Sequence, residues 1–396
     1  MFDCVRTPRG KARPTGALHE VPPHRLLVVL LDALTQRTGL DPAAVHDLLV
    51  GCVTPVGDQG YNVAQAALLA AAWPDTVAAV QLNRYCASGL ESVHGAAARI
   101  AAGWDDLLVA GGVESMGRVP LGSDGGALLQ DPELLLESGS IPQGVAADLI
   151  ATAHDFSREA VDAYALASQQ RTAAAVADDR FAPSLVPIVD DNGLTLLDHD
   201  EHPRPSSSAE GLAQLTPAFA KTGRVGFDDL ALLRYPHLEC VEHVHTAGNS
   251  SGLVDGAALT LLGSRAAGEA QALTPRARIR AITVASSDPT MMLLGMIPAT
   301  ERALRRAGLA VGDIDLVEVN EAFAAVPLAF MRHFALDAER VNVNGGAIAL
   351  GHPVGATGTM LLGTLLDELE RRDLRRGLVT LCAGGGQGIA AVVERV

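Results

Sequence analysis

The chain has 396 residues, 48% of them hydrophobic and 19% charged, a balance that gives two or three domain-sized units a large core and excludes a disordered protein. Its net charge of −16 disfavours nucleic acid and anionic membrane surfaces as partners, so an anionic ligand would need a local basic or dipolar pocket. The five cysteines (Cys4, Cys52, Cys86, Cys240 and Cys382) are scattered and contain no C-x-x-C pair, which argues against a disulfide framework or a zinc cluster and for a reducing cytoplasm. Arg6, Arg9, Lys11 and Arg13 are not followed by an apolar stretch, and no apolar run reaches the ~18 residues of a membrane span. A soluble, unprocessed chain is expected.

In chain order, Leu26 to Arg37 has helical periodicity closed by Gly39, Asp41-Pro42 starts a short helix, and Leu48 to Val53 reads as a buried strand. An apolar run from Val77 to Leu82 then stops at Asn83-Arg84-Tyr85-Cys86, and a helical pattern runs from Ala87 to Ala102. After Gly103 comes the strand Leu107 to Ala110, ending in Gly111-Gly112. Between Met116 and Val244 this alternation breaks down into an insertion with helices of its own, one of them capped by Ser157 and running to about Val176. Such an insertion suits a lid over a substrate. A Gly-rich loop, His245 to Gly252, follows, then a small-residue helix, Asp255 to Ala258, and a closing strand, Leu259 to Leu262.

The remainder repeats this grammar. Ala299 to Arg306 is helical, Gly308 closes it, and Leu316 to Val319 is a strand ending at Asn320. Val341-Asn342-Val343-Asn344, a Gly-rich loop, a helix, Gly377, the strand Leu378 to Leu381 and Gly384-Gly385-Gly386 then parallel the segment from Val80 to Gly112. A duplicated α/β unit is expected, with largely parallel sheets and ligand chemistry in loops beyond the strand carboxyl ends.

Cys86 stands at the start of a helix, where the dipole and free N–H groups favour thiolate; a small buried residue is the equal alternative on position alone. The second unit supplies Asn320, His352 and Cys382 at comparable loops. Singly these read as a helix cap, a loop histidine and a core cysteine. Together with Cys86 they make an activated nucleophile, a second thiol for proton transfer and an amide to hold water or orient the histidine.

These residues lie in Val5-Arg6-Thr7-Pro8, Asn83-Arg84-Tyr85-Cys86-Ala87-Ser88-Gly89, Ala110-Gly111-Gly112-Val113-Glu114-Ser115-Met116, Ala247-Gly248-Asn249-Ser250-Ser251-Gly252, Asn320-Glu321-Ala322-Phe323, Gly351-His352-Pro353 and Cys382-Ala383-Gly384-Gly385-Gly386. The set resembles the thiolase family along essentially the whole chain. Gly57-Asp58-Gln59-Gly60, Gly122-Ser123-Asp124-Gly125-Gly126 and His243-Val244-His245-Thr246 bring it nearest to thiolase β-subunits of bacterial fatty-acid β-oxidation complexes. The resemblance implies an α/β fold of two βαβαβαββ halves in an α-β-α-β-α layering, residues 1–263 with a loop domain inserted at about 116–244, and residues 271–396.

It further implies a two-step acyl transfer through Cys86, with His352 as base, Cys382 as acid then base, and Asn320 holding a water. Backbone N–H groups of Cys86 and Gly384, and His352, would serve the oxyanions. Ser251, Phe323, Ala247 and Gly248 match positions along the coenzyme A arm, while Lys221 and Arg224 are candidates for its phosphate only by lying in the insertion. Acyl-CoA and CoA are the implied ligands, as substrates, with no further cofactor and no metal. A homodimer or homotetramer is implied, and a hydratase/dehydrogenase α-subunit is a partner to test.

Many short-chain biosynthetic thiolases carry His-Met-Gly in the insertion, where the comparable stretch of this chain reads Ile141-Pro142-Gln143-Gly144-Val145-Ala146-Ala147-Asp148; that favours degradative thiolysis over acetoacetyl-CoA synthesis. Cys382 argues against condensing enzymes of lipid or polyketide synthesis, and the intact catalytic set against a non-catalytic acyl-CoA-binding subunit. His243 and His245, at i and i+2, are expected to be strand packing, and His199-Asp200-Glu201-His202 a solvated loop, rather than metal ligands.

Overall fold

The computed structural model describes residues 1–396. The first half contains β1 (Asp3–Arg6), α1 (Pro23–Thr38), β2 (Asp47–Gly51), α2 (Val63–Ala70), β3 (Ala78–Leu82), α3 (Ser88–Ala101), β4 (Leu107–Glu114) and, after the insertion, β5 (Val254–Gly263). The insertion holds α4 (Gln143–Ala153), α5 (Arg158–Ala177), α6 (Asp228–Arg234) and several shorter turns. The second half runs β6 (Ala277–Ser286), α7 (Met296–Ala307), β7 (Leu316–Val319), α8 (Ala325–Phe334), α9 (Thr357–Arg371), β8 (Arg376–Ala383) and β9 (Gln387–Arg395).

Local chemistry sets the boundaries. Pro23 opens α1 where a missing N–H is harmless, and Gly39, at φ 69°, closes it in the left-handed conformation. Ser157 caps α5 by accepting from the Ala160 N–H.

The repeat is visible in the strand order. The first sheet runs β1-β5-β4-β2-β3 and the second β6-β9-β8-β7, with Val341 bridging Val317 of β7 in parallel where β3 flanks β2. Each half therefore has the same permutation and the same directions. The sheets are mixed rather than largely parallel: β4 pairs antiparallel with β5 and β8 with β9, because each half ends in a strand that returns beside the previous one.

Alternating side chains divide the cores. Leu107 and Val109 pack toward α1 and α2, whereas Leu108 and Ala110 face α3 and α9 in the middle of the molecule. A third core joins α7 and α8 to the outer face of the second sheet and to α4 and α5. Five layers result, α-β-α-β-α, with α3 and α9 as the shared central layer. Residues Thr357 to Leu369 of α9 are all buried, as a helix enclosed on every side requires.

The expected helix Asp255 to Ala258 is instead the beginning of one strand, Val254–Gly263. Its small residues serve close packing, not helix formation. A Cβ on Gly256 would meet Met360 Cε at 3.0 Å, Thr7 Oγ1 at 3.4 Å and Pro353 Cγ at 3.5 Å.

Candidate active site

Cys86 sits in a turn between β3 and α3 built from its neighbours' side chains. Asn83 Oδ1 accepts from the Tyr85 N–H at 2.8 Å, Ser88 Oγ accepts from the Arg84 N–H at 2.8 Å, and Ser88 Oγ donates to the Tyr85 carbonyl at 2.6 Å. These bonds hold Tyr85 at φ 49°, a left-handed conformation that a bulky side chain adopts only when its surroundings impose it. The turn aims Cys86 into a wall of Val53, Met116 and Val354.

The helix-start position does not make a resting thiolate. Burial raises the Cys86 thiol to about 11, its own N–H and the Gln143 side chain pull it down, and the nearby Glu114 charge adds to the rise. Desolvation outweighs the helix terminus here.

His352 arrives from the second half. Its N–H donates to the Gly252 carbonyl at 2.8 Å, and its Nδ1 lies 2.6 Å from Thr357 Oγ1, which itself donates to the Pro353 carbonyl at 2.9 Å. Thr357 has one hydroxyl proton and spends it on Pro353, so Nδ1 carries the proton it shares with Thr357 and Nε2 is left with a lone pair. Nε2 faces Asn320 Nδ2 at 3.4 Å, while the buried Asn320 Oδ1 has no protein partner. Burial, and then the charge of Arg9, lower the His352 imidazolium to about 3. The His352 imidazole is therefore neutral in the resting protein.

Cys382, near the end of β8, is pushed well above the usual thiol range by burial and further by the charge of Cys86. The two thiols are close enough to sense each other. Gly384 begins the turn after β8 and lies against the Tyr85 ring, where a Cβ would be 3.1 Å from the ring carbons. Cys86, His352, Asn320, Cys382 and Gly384 thus converge on one place, although they span nearly 300 residues of sequence.

Two buried carboxylates that sequence reasoning gave no role hold this constellation. Glu114 accepts from the N–H groups of Val53 (2.9 Å) and Thr54 (3.2 Å) and from Gln59 Nε2 (2.8 Å), with Gly355 of the His352 loop as a further donor. Glu321, next to Asn320, accepts from Tyr164 Oη (2.9 Å), Ser168 Oγ (2.7 Å), Asn342 Nδ2 (3.0 Å) and the Ile348 N–H (3.1 Å). It fastens the Asn320 turn to α5 and to the segment leading into His352. The only sequence signal for either was an acidic residue beside a glycine pair or an asparagine in a strand-end motif.

The remaining expected ligand residues line a neighbouring face. The Ser251 N–H donates to Ala322 at 3.0 Å, and Phe323 packs edge-on against Phe219 and His245 with ring centres 5.6 and 5.7 Å apart. Gly248 lies against Leu212 and Leu215, and Ala247 is exposed. Lys221 and Arg224 are exposed on a turn of the insertion.

Two expectations are corrected. The Asp200 side chain is buried, not solvated: it accepts both Arg6 Nη atoms at 2.9 Å and the Arg9 N–H at 2.8 Å, while Glu201 accepts from the Lys11 and Ala17 N–H groups. His202 packs its ring on Gly252. This stretch is a clasp between the insertion and the chain's first residues. His243 and His245, for their part, do not pack as a strand pair but share the buried carboxylate of Asp148.

The Thiolase, N-terminal domain family model matches residues 1–266 and the Thiolase, C-terminal domain model residues 273–395. The 3-ketoacyl-CoA thiolase of Photobacterium profundum is 40% identical over 403 aligned residues, covering 100% of this chain and 99% of that one. The Beta-ketoadipyl-CoA thiolase of Pseudomonas aeruginosa is 41% identical, with 100% and 98% covered. The crystal structure of the Bacillus anthracis acetyl-CoA acetyltransferase superposes with a TM-score of 0.86 at 35% identity, over 100% of this chain and 98% of that one. With family models spanning both halves and relatives matched end to end, the chain belongs to the thiolase family and is an acyltransferase.

Proposed function

We propose that the protein cleaves 3-oxoacyl-CoA with CoA, releasing acetyl-CoA and an acyl-CoA shortened by two carbons, in the degradative direction of fatty-acid β-oxidation. The observation that carries this reading is the pair of buried thiols, Cys86 and Cys382, close enough for one charge to raise the other, together with a neutral buried histidine, His352, whose free lone pair is on Nε2 beside Asn320. One thiol forms the acyl bond and the other moves the proton. The stretch Ile141 to Asp148, which lacks His-Met-Gly, supports degradation over synthesis.

The Cys86 sulfur bonds to the 3-keto carbon as its proton passes to His352 Nε2. The C2–C3 bond then breaks, its electron pair leaving as the acetyl-CoA enolate, and Cys382 delivers its proton to C2. The imidazolium, now a donor at Nε2, and a water held by Asn320 stabilise the enolate oxygen; the Cys86 and Gly384 N–H groups take the tetrahedral oxyanion, at ~10²–10³ in rate per donor. In the second half, CoA yields its thiol proton to Cys382 and its sulfur takes the acyl group. Cys86 leaves as thiolate and recovers its proton from His352. CoA lies along Ser251, Phe323, Ala247 and Gly248, with Lys221 and Arg224 as candidates for its phosphates. It is a substrate, and no further cofactor is required.

The protein is proposed to act in the cytoplasm as a homodimer or homotetramer, and to pair with a hydratase/dehydrogenase α-subunit that supplies 3-oxoacyl-CoA. Thiolysis of a panel from acetoacetyl-CoA to long-chain 3-oxoacyl-CoAs, with 3-oxoadipyl-CoA included, tests the reading. Turnover greatest with medium or long chains is expected. Turnover confined to acetoacetyl-CoA or to the dicarboxylic substrate would overturn the β-oxidation assignment.

A further inference from the structure

One histidine ties the floor of the insertion to its outer cap. Asp148, on α4, is fully buried; its Oδ1 accepts from the N–H groups of Val244 (3.1 Å) and His245 (2.9 Å) and from His245 Nδ1 (2.8 Å). Its Oδ2 lies 2.6 Å from His243 Nδ1, and the opposite nitrogen, His243 Nε2, lies 3.1 Å from Oδ2 of Asp228 in the first turn of α6. His245 is neutral by its own bonds, since its Nε2 accepts from the Ala325 N–H at 3.3 Å. His243 differs. With a carboxylate at each ring nitrogen, both contacts are hydrogen bonds only when the ring is an imidazolium.

The cap that Asp228 belongs to reaches the face carrying Ala247, Gly248, Ser251 and Phe323 through Phe219, at its first residue, and leaves Ala247 exposed. Phe219 stacks edge-on against Phe323 and rests on Gly144, where no Cβ would fit, and Leu212 and Leu215 press on Gly248. Asp228 itself is held within the cap against Gly223.

We propose that His243, as an imidazolium bridging Asp148 and Asp228, is a positioning residue that holds the 219–234 cap over the CoA-binding face, so that affinity for CoA weakens as rising pH opens the bridge. This rests on the reading of that face as the CoA site. The groups facing His243 are Asp148 from α4, Asp228 from α6 and the neutral His245 on its own segment; α8 offers only the Ala325 N–H to the cluster, and Glu242, Lys221 and Arg224 are exposed. Burial pulls the His243 ring down, but the hydrogen bonds and charges of Asp148 and Asp228 outweigh it and hold the ring above the ordinary histidine value. A raised folded value means the bridge is complete below the ordinary histidine range and is lost as pH rises through the raised one. The neutral ring has a single N–H, and the longer contact, to Asp228, is the one released.

The test is calorimetric binding of a CoA analogue lacking the sulfur, so that no ligand thiol titrates, between about pH 6 and 9. Wild type is expected to lose about tenfold in Kd across this range, the worth of one charge-assisted hydrogen bond. His243→Asn is expected to bind at the weak level throughout, with a flat profile. Should that variant not fold, Asp228→Ala serves: it leaves His243 Nε2 no partner in the cap in either protonation state, and the same weak, flat profile is expected. A flat wild-type profile, or variants that follow the wild-type curve, would overturn the proposal while leaving the thiolase reading intact. Absence of binding at every pH in an enzyme that still cleaves 3-oxoacyl-CoA would overturn the assignment of the CoA face, and the proposal with it.

Discussion

Cys86 and His352 rest as thiol and imidazole, since burial holds the first up to about 11 and the second, with Arg9, down to about 3. Across the neutral range neither group changes charge, so activation belongs to the moment of attack. Alkylation of Cys86 by iodoacetamide should therefore climb about tenfold per pH unit from 7 to 9. A plateau near neutrality would show a preformed thiolate instead. The tautomer of His352 depends on Thr357, which accepts its Nδ1 proton. Thr357→Val removes that acceptor with little change in volume, and thiolysis should fall by roughly 10²-fold, the cost of a misdirected catalytic group, with thermal stability little changed.

At the scale of elements, the two halves meet through glycine. A Cβ on Gly112 of β4 would lie 1.9 Å from the Gly355 carbonyl, one on Gly89 of α3 would lie 2.6 Å from it, and Thr359 Oγ1 of α9 donates to the Gly89 carbonyl at 3.0 Å. The His352 loop can sit against the Cys86 helix only because these side chains are absent. Gly112→Ala should cost about 1–3 kcal/mol in unfolding free energy, the usual range for overpacking, and should lower kcat by displacing His352; denaturant titration and steady-state assays read the two effects. Sequence made the short motifs legible, because Cys86, Asn320, His352 and Cys382 each stand in a few residues of strand end and glycine. It could not show the buried carboxylates, whose meaning lies in partners far along the chain: Arg6 and Asp200 are 194 residues apart, and Asp148 and His245 are 97 apart. The start of β5 was misread for the same reason, since Asp255-Gly256-Ala257-Ala258 is small to admit Met360 and Pro353, and nothing local says so.

At the scale of the molecule, the first sheet ends in an open edge. β3 pairs with β2 on one side only, and Ala78 and Val80 are exposed on it. An unpaired, half-apolar edge of this kind is a template for a second copy, which supports the proposed homo-oligomer. Light scattering should give a mass of at least two chains. Val80→Lys, which places a charge on that edge, should shift the population toward single chains, and an unchanged mass would exclude β3 as the contact. No helix is long and apolar enough to cross a membrane.

The glycine contact is the seam between the two halves. Cys86 comes from the first half while Asn320, His352 and Cys382 come from the second, so the proposed chemistry requires the two registers to agree within a fraction of an ångström. A slight loosening of that seam leaves every strand and helix intact and yet separates base from nucleophile. Turnover is then the finest gauge of the fold's closure: in rising urea, thiolysis should vanish before the far-UV circular dichroism begins to fall.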